Sequence, residues 1–289
     1  MATAGESCMD EFEQFRPLLF SIAYQMLGSA MEAEDIVQET YLRYQSATNV
    51  ESPKAYLTTI ATRLCLNQIN SARSKREQYM GPWLPEPLLD SASPLIPGVR
   101  LDKHETISMA FLVLLEELTP PERAVFLLRE VFDYDYAEIA QILEREEADC
   151  RQLYSRAKKH LADRRPRFSS SPEQHRQILE RFLQAVQSGQ VEDLTTMLAQ
   201  DAVLWADGAG RPGAATRPIF GSEAIARFVR GTQRFLPEKY TSSIELVNGE
   251  PALVIRTEER PFLVLMIELN GGSIQTIRAI GNPEKLTHL

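Results

Sequence analysis

The chain is short of the residues that carry metal and redox chemistry. Its 289 residues include three cysteines, four histidines and two tryptophans. Cys8, Cys65 and Cys150 are scattered and form no CxxC pair. That excludes the common zinc spacings and points to a reducing, cytoplasmic compartment, not a disulfide framework. No apolar run reaches the roughly 18 residues of a membrane-spanning helix, so none is expected. The opening stretch MATAGESCMDEFEQF has neither a basic start nor an apolar segment, so no secretory signal is expected. Positive charge is scarce too: 31 Lys and Arg stand against 40 Asp and Glu, a net charge of −9. Such a chain does not coat nucleic acid indiscriminately. Any DNA binding has to be local and assisted by a partner.

What positive charge there is collects in a few places. The stretch from Thr119 to Arg167 reads as three helices, the last two forming a helix-turn-helix. Thr119-Pro120-Pro121-Glu122 combines an N-cap, a proline in the first turn and a glutamate that can close a capping box. Val125, Leu127, Leu128 and Val131 supply an apolar face. Asp135-Tyr136-Ala137-Glu138 is a second capping box, opening a helix with Ile139, Ala140, Ile142 and Leu143 inward. After a polar turn at 144–147, the spacing predicts a recognition helix over 148–161. Cys150, Leu153, Tyr154, Ala157 and Leu161 share one face, and Arg151, Gln152, Ser155, Arg156 and Lys159 the other. From Arg151 to Arg167 seven basic residues face one acid. A basic last turn also complements a helix dipole, but the helix-turn-helix spacing favours a helix that enters a major groove.

Length suggests about two domains, and the pattern divides accordingly. Residues 10–78 read as all-helical. Phe12, Phe15, Leu18, Leu19, Ile22, Ala23 and Met26 form one amphipathic helix ended by Gly28. The next, over 31–44, is anchored by Ile36, Val37, Tyr41 and Tyr44 and shows an acidic side of Glu32, Glu34, Asp35 and Glu39. That side is either a solvated face or a docking surface for a basic partner. After a polar loop, a long helix from Pro53 reverses the sign with Lys54, Arg63, Arg73, Lys75 and Arg76. Tyr41, Tyr44 and Tyr56 nearby can be core residues or can stack unpaired bases. Residues 79–100 hold five of the 17 prolines and exclude helix or sheet interior. Their apolar content (Trp83, Leu84, Leu88, Leu89) predicts that Trp83 to Leu88 lies extended against another part of the chain. A further helix is expected over 101–117 with Ile107, Ala110, Phe111, Leu114 and Leu115 inward, and Phe168 to Pro172 reads as a second linker.

From Glu173 two helices (175–187 and 191–199) precede a strand over 202–206, a loop over 207–216 and a short strand over 218–220. Then come a helix over 222–235 capped by Ser222 and strands over 240–247, 252–257, 262–269 and 274–280. Asn248-Gly249 and Asn270-Gly271-Gly272 mark hairpin turns. Helices followed by an antiparallel meander give an α+β module, a bent sheet wrapped on helices that can enclose a small ligand of unknown identity.

These residues carry a resemblance over nearly the whole chain. The segment from Met9 to Glu77, with AEDIVQETYLR, resembles the promoter-melting domain of an extracytoplasmic-function (ECF) sigma factor. Leu118 to Leu161, with RQLxxRA, resembles the sigma domain that reads the upstream promoter element. The WLPEPL linker and the C-terminal cone resemble the ECF subgroup with a fused SnoaL-like domain. The implied fold is multidomain: two all-α sigma domains, the second a helix-turn-helix, followed by an α+β SnoaL-like cone. The implied division is 9–78, a linker over 79–100, then 101–167 and 173–289. The implied partners are core RNA polymerase and promoter DNA, with no cofactor, no metal, no membrane and no catalysis.

By the same resemblance Asp35, Gln38 and Glu39 face the polymerase clamp, and the loop from Ser46 to Ser52 captures a flipped base. Arg63, Asn67, Arg73 and Arg76 line downstream DNA, and Arg151, Gln152, Ser155, Arg156 and Lys159 meet the upstream element. Trp83, Leu84, Pro85, Leu88, Asp207 and Asn282 hold the cone to the linker, so that the cone acts in cis. The sequence departs from the family pattern where Glu144 and Glu146 stand for the usual Gly and Ser of the helix-turn-helix turn, and where Arg63 stands for an Asn. The family's DGGGK-like loop appears as Asp207-Gly208-Ala209-Gly210-Arg211, and its NPDKL-like tail as Asn282-Pro283-Glu284-Lys285-Leu286. Two other readings compete. A one-component regulator that senses a ligand in the cone leaves the acidic helix unexplained. A SnoaL-like enzyme needs a base in the cone, for which Asp207 beside Trp205 is the one plausible pair, although Asp207 before Gly208 also reads as a turn residue.

Overall fold

The computed structural model describes residues 4–77, 79–90, 108–162 and 171–289, with side chains at all of these but 4–8 and 72–77. They form two compact units, one from the described residues up to Glu77 and those from Phe111 to 162, the other from 79–90, 108–110 and 171–289. Expectations for the side chains of Arg73 and Arg76, for 91–107 (including Ile107) and for Phe168 lie outside the described residues.

The helices of the first unit are α1 (Ala4–Leu27), α2 (Ala30–Gln45), α3 (Pro53–Glu77), the end of α4 (Met109–Leu115), α5 (Pro120–Phe126), α6 (Tyr136–Leu143) and α7 (Glu147–Ala162). Gly28 ends α1 with a left-handed φ of 68° that carries no Cβ penalty. Ser29 then caps α2 by accepting from the Glu32 amide at 3.1 Å. The second half of α1 is buried on every side, Ser21, Tyr24 and Gln25 included. It packs against α2 and α3 and is the axis of the unit.

The two stretches that read as separate helical modules pack on one another within this unit, α3 against α5 and α6. Two buried polar contacts fix that packing. The Thr58 and Tyr134 hydroxyls share a hydrogen bond of 2.8 Å. The buried Arg123 donates to the Met26 carbonyl at 2.7 Å and pairs with Glu116 at 2.8 Å. Burial raises the Tyr134 phenol above its ordinary pKa, so it remains a neutral partner.

Between α5 and α6 the chain departs from the expected plain helix. Leu127–Val131 is a π-helical turn in which the Phe132 amide reaches back to the Leu127 carbonyl at 3.1 Å. The widened turn buries Leu127, Leu128 and Val131 together, and Asp133 (φ 60°) stops it. Asp135 and Glu138 then exchange side-chain-to-amide bonds of 2.8 Å each, the capping box that the sequence predicts.

The second unit contains α8 (Pro172–Ser188), α9 (Val191–Met197) and α10 (Ser222–Thr232). Its strands are β1 (Leu198–Asp207), β2 (Ile219–Phe220), β3 (Thr241–Val247), β4 (Glu250–Arg256), β5 (Pro261–Asn270) and β6 (Ser273–Ile280). The sheet order is β2-β1-β6-β5-β4-β3. The expected meander holds for β3 to β6, but β1 lies parallel to β6, a pairing that hydrophobic alternation alone does not reveal. Asn248 and Gly249 both have positive φ (53° and 76°), as a two-residue hairpin requires. Register shifts between β1 and β6, β4 and β5, and β5 and β6 bend the sheet.

One sheet face presents Leu204, Leu253, Leu265, Ile267 and Ile277 to Leu179, Phe182, Leu194 and Ile225 of the helices. This is the α+β cone expected of a SnoaL-like domain. One detail is corrected: the N-cap of α10 is Gly221 (φ 87°), not Ser222, and no side chain bonds the cap.

Residues 79–90 belong to this second unit. Leu84 through Leu89 are buried, prolines and Glu86 included. Leu88 and Asn248 exchange two bonds, amide to Asn248 Oδ1 at 3.0 Å and Asn248 amide to the Leu88 carbonyl at 2.9 Å. Leu89 bridges Val247, and the Asp90 amide reaches the Leu246 carbonyl at 3.1 Å. The prolines remain outside the ladder, and Leu88 finds partners for both its amide and its carbonyl on Asn248.

Candidate functional site

In α7 every second-face residue named from sequence is exposed: Arg151, Gln152, Ser155, Arg156 and Lys159. Cys150, Leu153, Ala157 and Leu161 are buried beneath them. Tyr154, expected inward, is half-buried, and its hydroxyl bonds the Glu130 carboxylate. Burial and that carboxylate push its pKa up to about 12. Burial likewise raises the Cys150 thiol, an inert packing group.

The arginines of this face are not idle. Arg151 pairs with Glu147 at 2.8 Å and lies 4.4 Å from the Tyr136 ring centre. Arg156 lies 3.4 Å from the buried Glu122 carboxylate, which also accepts from the Thr119 amide (3.1 Å) and hydroxyl (2.8 Å). His160 stands 3.7 Å from the same carboxylate. Glu122 therefore joins the start of α5 to the outer face of α7.

Arg63 of α3 behaves in the same way. Its Nε donates to the Ile142 carbonyl at 2.9 Å and one terminal nitrogen to the Gln141 carbonyl at 3.1 Å. The other pairs with Glu144 at 2.8 Å. A cation on the last carbonyls of α6 is favoured by their unpaired acceptors and by the helix dipole. Glu144 is itself in the left-handed region, φ 52° and ψ 51°. A residue with a Cβ pays about 1–2 kcal/mol there. Asn67, one turn beyond Arg63, is exposed.

On α2 the expected acidic face is thinner than its sequence. Glu34 is drawn to Arg16 at 2.8 Å and Glu32 to Gln68 at 3.1 Å. Asp35 and Gln38 stay exposed, and Glu39 pairs with Arg43 at 2.8 Å along the helix. In the following loop Asn49 takes a left-handed φ of 59°, and Thr48, Glu51 and Ser52 are exposed. Of the three tyrosines beside it, Tyr44 is core, bonded through its hydroxyl to Glu11. Tyr41 packs on Phe12 with ring centres 4.9 Å apart, and Tyr56 alone is exposed.

The second unit has a different kind of centre. Asp207 closes β1, and its side chain is wholly buried. Its Oδ2 accepts from the Leu84 amide at 2.8 Å and from Lys285 Nζ at 2.7 Å. Its Oδ1 accepts from the Tyr79 hydroxyl, which in turn accepts from Asn282 at 2.9 Å. Lys285 also donates to the Leu84 carbonyl and sits 4.0 Å from the Trp83 ring centre. The Asp207 backbone carbonyl takes the amides of Gly281 (2.7 Å) and Asn282 (3.1 Å). Asp207 is thus a hub and not the turn residue that Gly208 after it suggests. Trp83, expected with the buried set, is only half-buried, its ring lying against Lys285, whereas Leu84, Pro85 and Leu88 are buried. Burial and the Asp207 carboxylate raise the Tyr79 phenol, so it acts as a fixed donor.

Sequence reading named Leu84, Asp207 and Asn282 but missed Tyr79 and Lys285, which complete the hub, and Asn248, which holds Leu88. Lys285 stands inside a recognised tail motif. Its aliphatic stem disguises a charge that only a buried carboxylate makes tolerable. Among the described residues no group of three metal-binding side chains occurs, and no helix is long and apolar enough to cross a membrane.

Comparison with known proteins places these features in a family. Residues 12–75 match the model of Sigma-70 region 2, and residues 108–161 that of Sigma-70, region 4. The ECF RNA polymerase sigma factor SigJ of Mycobacterium tuberculosis is 35% identical over 292 residues, covering 96% of this chain and 93% of that protein. The probable ECF RNA polymerase sigma factor SigI of the same organism is 28% identical over 278 residues, covering 95% and 93%. The crystal structure of Mycobacterium tuberculosis SigJ matches with a TM-score of 0.75 at 30% identity, covering 97% of this chain and 98% of that one. With relatedness over both helical segments and the cone, this chain belongs to the extracytoplasmic-function RNA polymerase sigma factors.

Proposed function

We propose that this protein recruits core RNA polymerase to promoter DNA in the cytoplasm and that its C-terminal domain regulates this in cis through the segment at 79–90. On this reading residues 9–78 bind polymerase and melt the promoter, with Asp35, Gln38 and Glu39 on the clamp. Arg63, Asn67, Arg73 and Arg76 follow the downstream DNA, and the loop from Ser46 to Ser52 takes the flipped base. Residues 101–167 form the upstream-element reader, through Arg151, Gln152, Ser155, Arg156 and Lys159. Residues 79–100 are the linker and 173–289 the regulatory domain, joined by Trp83, Leu84, Pro85, Leu88, Asp207 and Asn282.

One observation carries the reading. A member of the ECF family exposes an acidic-polar patch (Asp35, Gln38) on one helix and a basic-polar face on another, in a chain of net charge −9. Separate surfaces of opposite sign suit two partners of different charge. A one-component DNA-binding regulator makes no use of the first surface. An enzyme in the cone needs a base that substrate can reach, whereas the Asp207 side chain is wholly buried and already takes the Leu84 amide, Tyr79 and Lys285. Burial under three donors favours a tether over a catalyst. A ligand taken up on the helix side of the sheet would meet an apolar lining.

Run-off transcription tests the proposal. Purified protein plus core polymerase is expected to give promoter-specific transcripts from candidate promoters, and protein or core alone none. Absence of any transcript together with absence of core binding would overturn it.

A further inference from the structure

Each arginine of the helical unit expected on DNA and described here with its side chain is already held by a carboxylate: Arg63 by Glu144, Arg151 by Glu147 and Arg156 by Glu122. Two of these pairs lie within or beside α7 and leave the helix where it is. The third, alone of these, joins the segment at 12–75 to the segment at 108–161. Arg63 sits on α3, and all three of its described partners sit at the end of α6, where the helix-turn-helix turns.

The partner that carries the charge is the residue that departs from the family pattern. At a left-handed cap glycine is free of strain. This chain instead places Glu144 there, at φ 52°. A strained backbone position that coincides with a charge-assisted contact points to a role for that contact. The carboxylate and the two helix-end carbonyls together occupy both edges of the Arg63 guanidinium, the edges with which it would grip a phosphate.

We propose that Glu144 is an intramolecular stand-in for promoter phosphate. It holds Arg63 against the end of α6, keeps α3 and the helix-turn-helix closed on one another in the free protein, and is displaced when DNA takes the arginine. The device rests on the proposed sigma-factor function, since it presumes that Arg63 has DNA to bind. It makes release of the two helical segments and capture of DNA the same event. Arg63 is two-fifths exposed and Glu144 three-quarters exposed, so the pair is reachable and screened by salt, as a releasable contact has to be.

The test uses the full chain with Glu144→Gly, Glu144→Gln and, as a control of equal charge change in the same turn, Glu146→Gln. Cys8 is replaced by Ser, and labels are placed on cysteines introduced at the exposed positions Gln14 and Ala162, one on each side of the contact. Label-to-label distance and affinity for a plain DNA duplex are measured over a range of salt, and core-polymerase binding is measured alongside. Both Glu144 variants are expected to lengthen or broaden the distance distribution and to bind DNA about three- to tenfold tighter. Their salt slope should steepen by about 0.9, the contribution of one further phosphate. The Gly variant should melt no lower than the parent, because the strain is relieved, which keeps the result apart from misfolding.

Equal gains for Glu146→Gln and Glu144→Gln would overturn the proposal, since net charge alone would then explain them. So would an unchanged distance with unchanged affinity. Failure of the parent to bind core polymerase would overturn the proposed function instead, and would leave the distance readout to judge the clamp.

Discussion

The pair that fastens 79–90 to the cone and the pairs on the expected DNA-facing arginines are built in opposite ways. In the C-terminal unit Lys285 and Asp207 are both almost fully excluded from water, and the lysine and the carboxylate have further partners in Leu84 and Tyr79. In the helical unit the arginine side chains paired with Glu144, Glu147 and Glu122 are 41%, 57% and 61% exposed. A buried pair is expensive to break because the survivor is left charged in a dry site. An exposed one costs little, because water and salt stand ready to replace either partner. The contrast separates a buried fastening, 79–90 on the cone, from arginine contacts that solvent and salt can reach.

The sharpest way to break that contrast is to remove one half of the buried pair. Lys285→Met should cost about 3–5 kcal/mol in urea unfolding, because Asp207 stays behind uncompensated. A loss below about 1 kcal/mol would place the pair with the exposed ones. Leu84→Ala should follow, at about 2–4 kcal/mol, since Leu84 is buried where the segment meets the hub. Protease cuts within 79–90 should then appear before any elsewhere. On the other side, Arg156→Ala should cost less than either, because the buried Glu122 keeps the Thr119 amide and hydroxyl as donors. It should weaken upstream-element binding by about 1–3 kcal/mol if it reads a base, or reduce the salt slope by about one if it holds a phosphate. An unaltered affinity and slope would remove Arg156 from the interface.

The smallest effect concerns pH. His175 of α8 is buried, and burial lowers its pKa from the ordinary 6.5, with Nε2 lacking a partner. The unfolded chain therefore takes up the proton first, so stability is full above about pH 6.5 and falls as pH drops below it. His175→Phe should flatten that slope, and a slope that persists would assign it to other groups.

The sequence made much of this legible and left specific parts hidden. Capping boxes at Thr119 and Asp135, the Asn248-Gly249 hairpin and the two faces of α7 depend on local spacing, and each is found where spacing puts it. The π-turn at Leu127–Val131 escaped because a run of apolar residues does not say which carbonyl each amide selects. The parallel pairing of β1 with β6 escaped because alternation reports a strand's faces and not its neighbours. Tyr79 and Lys285 escaped because they reach Asp207 from 128 and 78 residues away. Glu144 was visible as an oddity, a side chain where the turn prefers none, but its partner Arg63 is 81 positions earlier, and only packing brings them together.

The proposed sigma-factor function depends most on the exposed face of α2. Binding of core RNA polymerase to the full chain should be measured directly for the parent and for Asp35→Lys, with circular dichroism to show that both are folded. Saturable binding by the parent and at least about a tenfold loss for the variant, equivalent to about 1.4 kcal/mol, are expected. Equal binding by the two proteins, or none by the parent, would contradict that function.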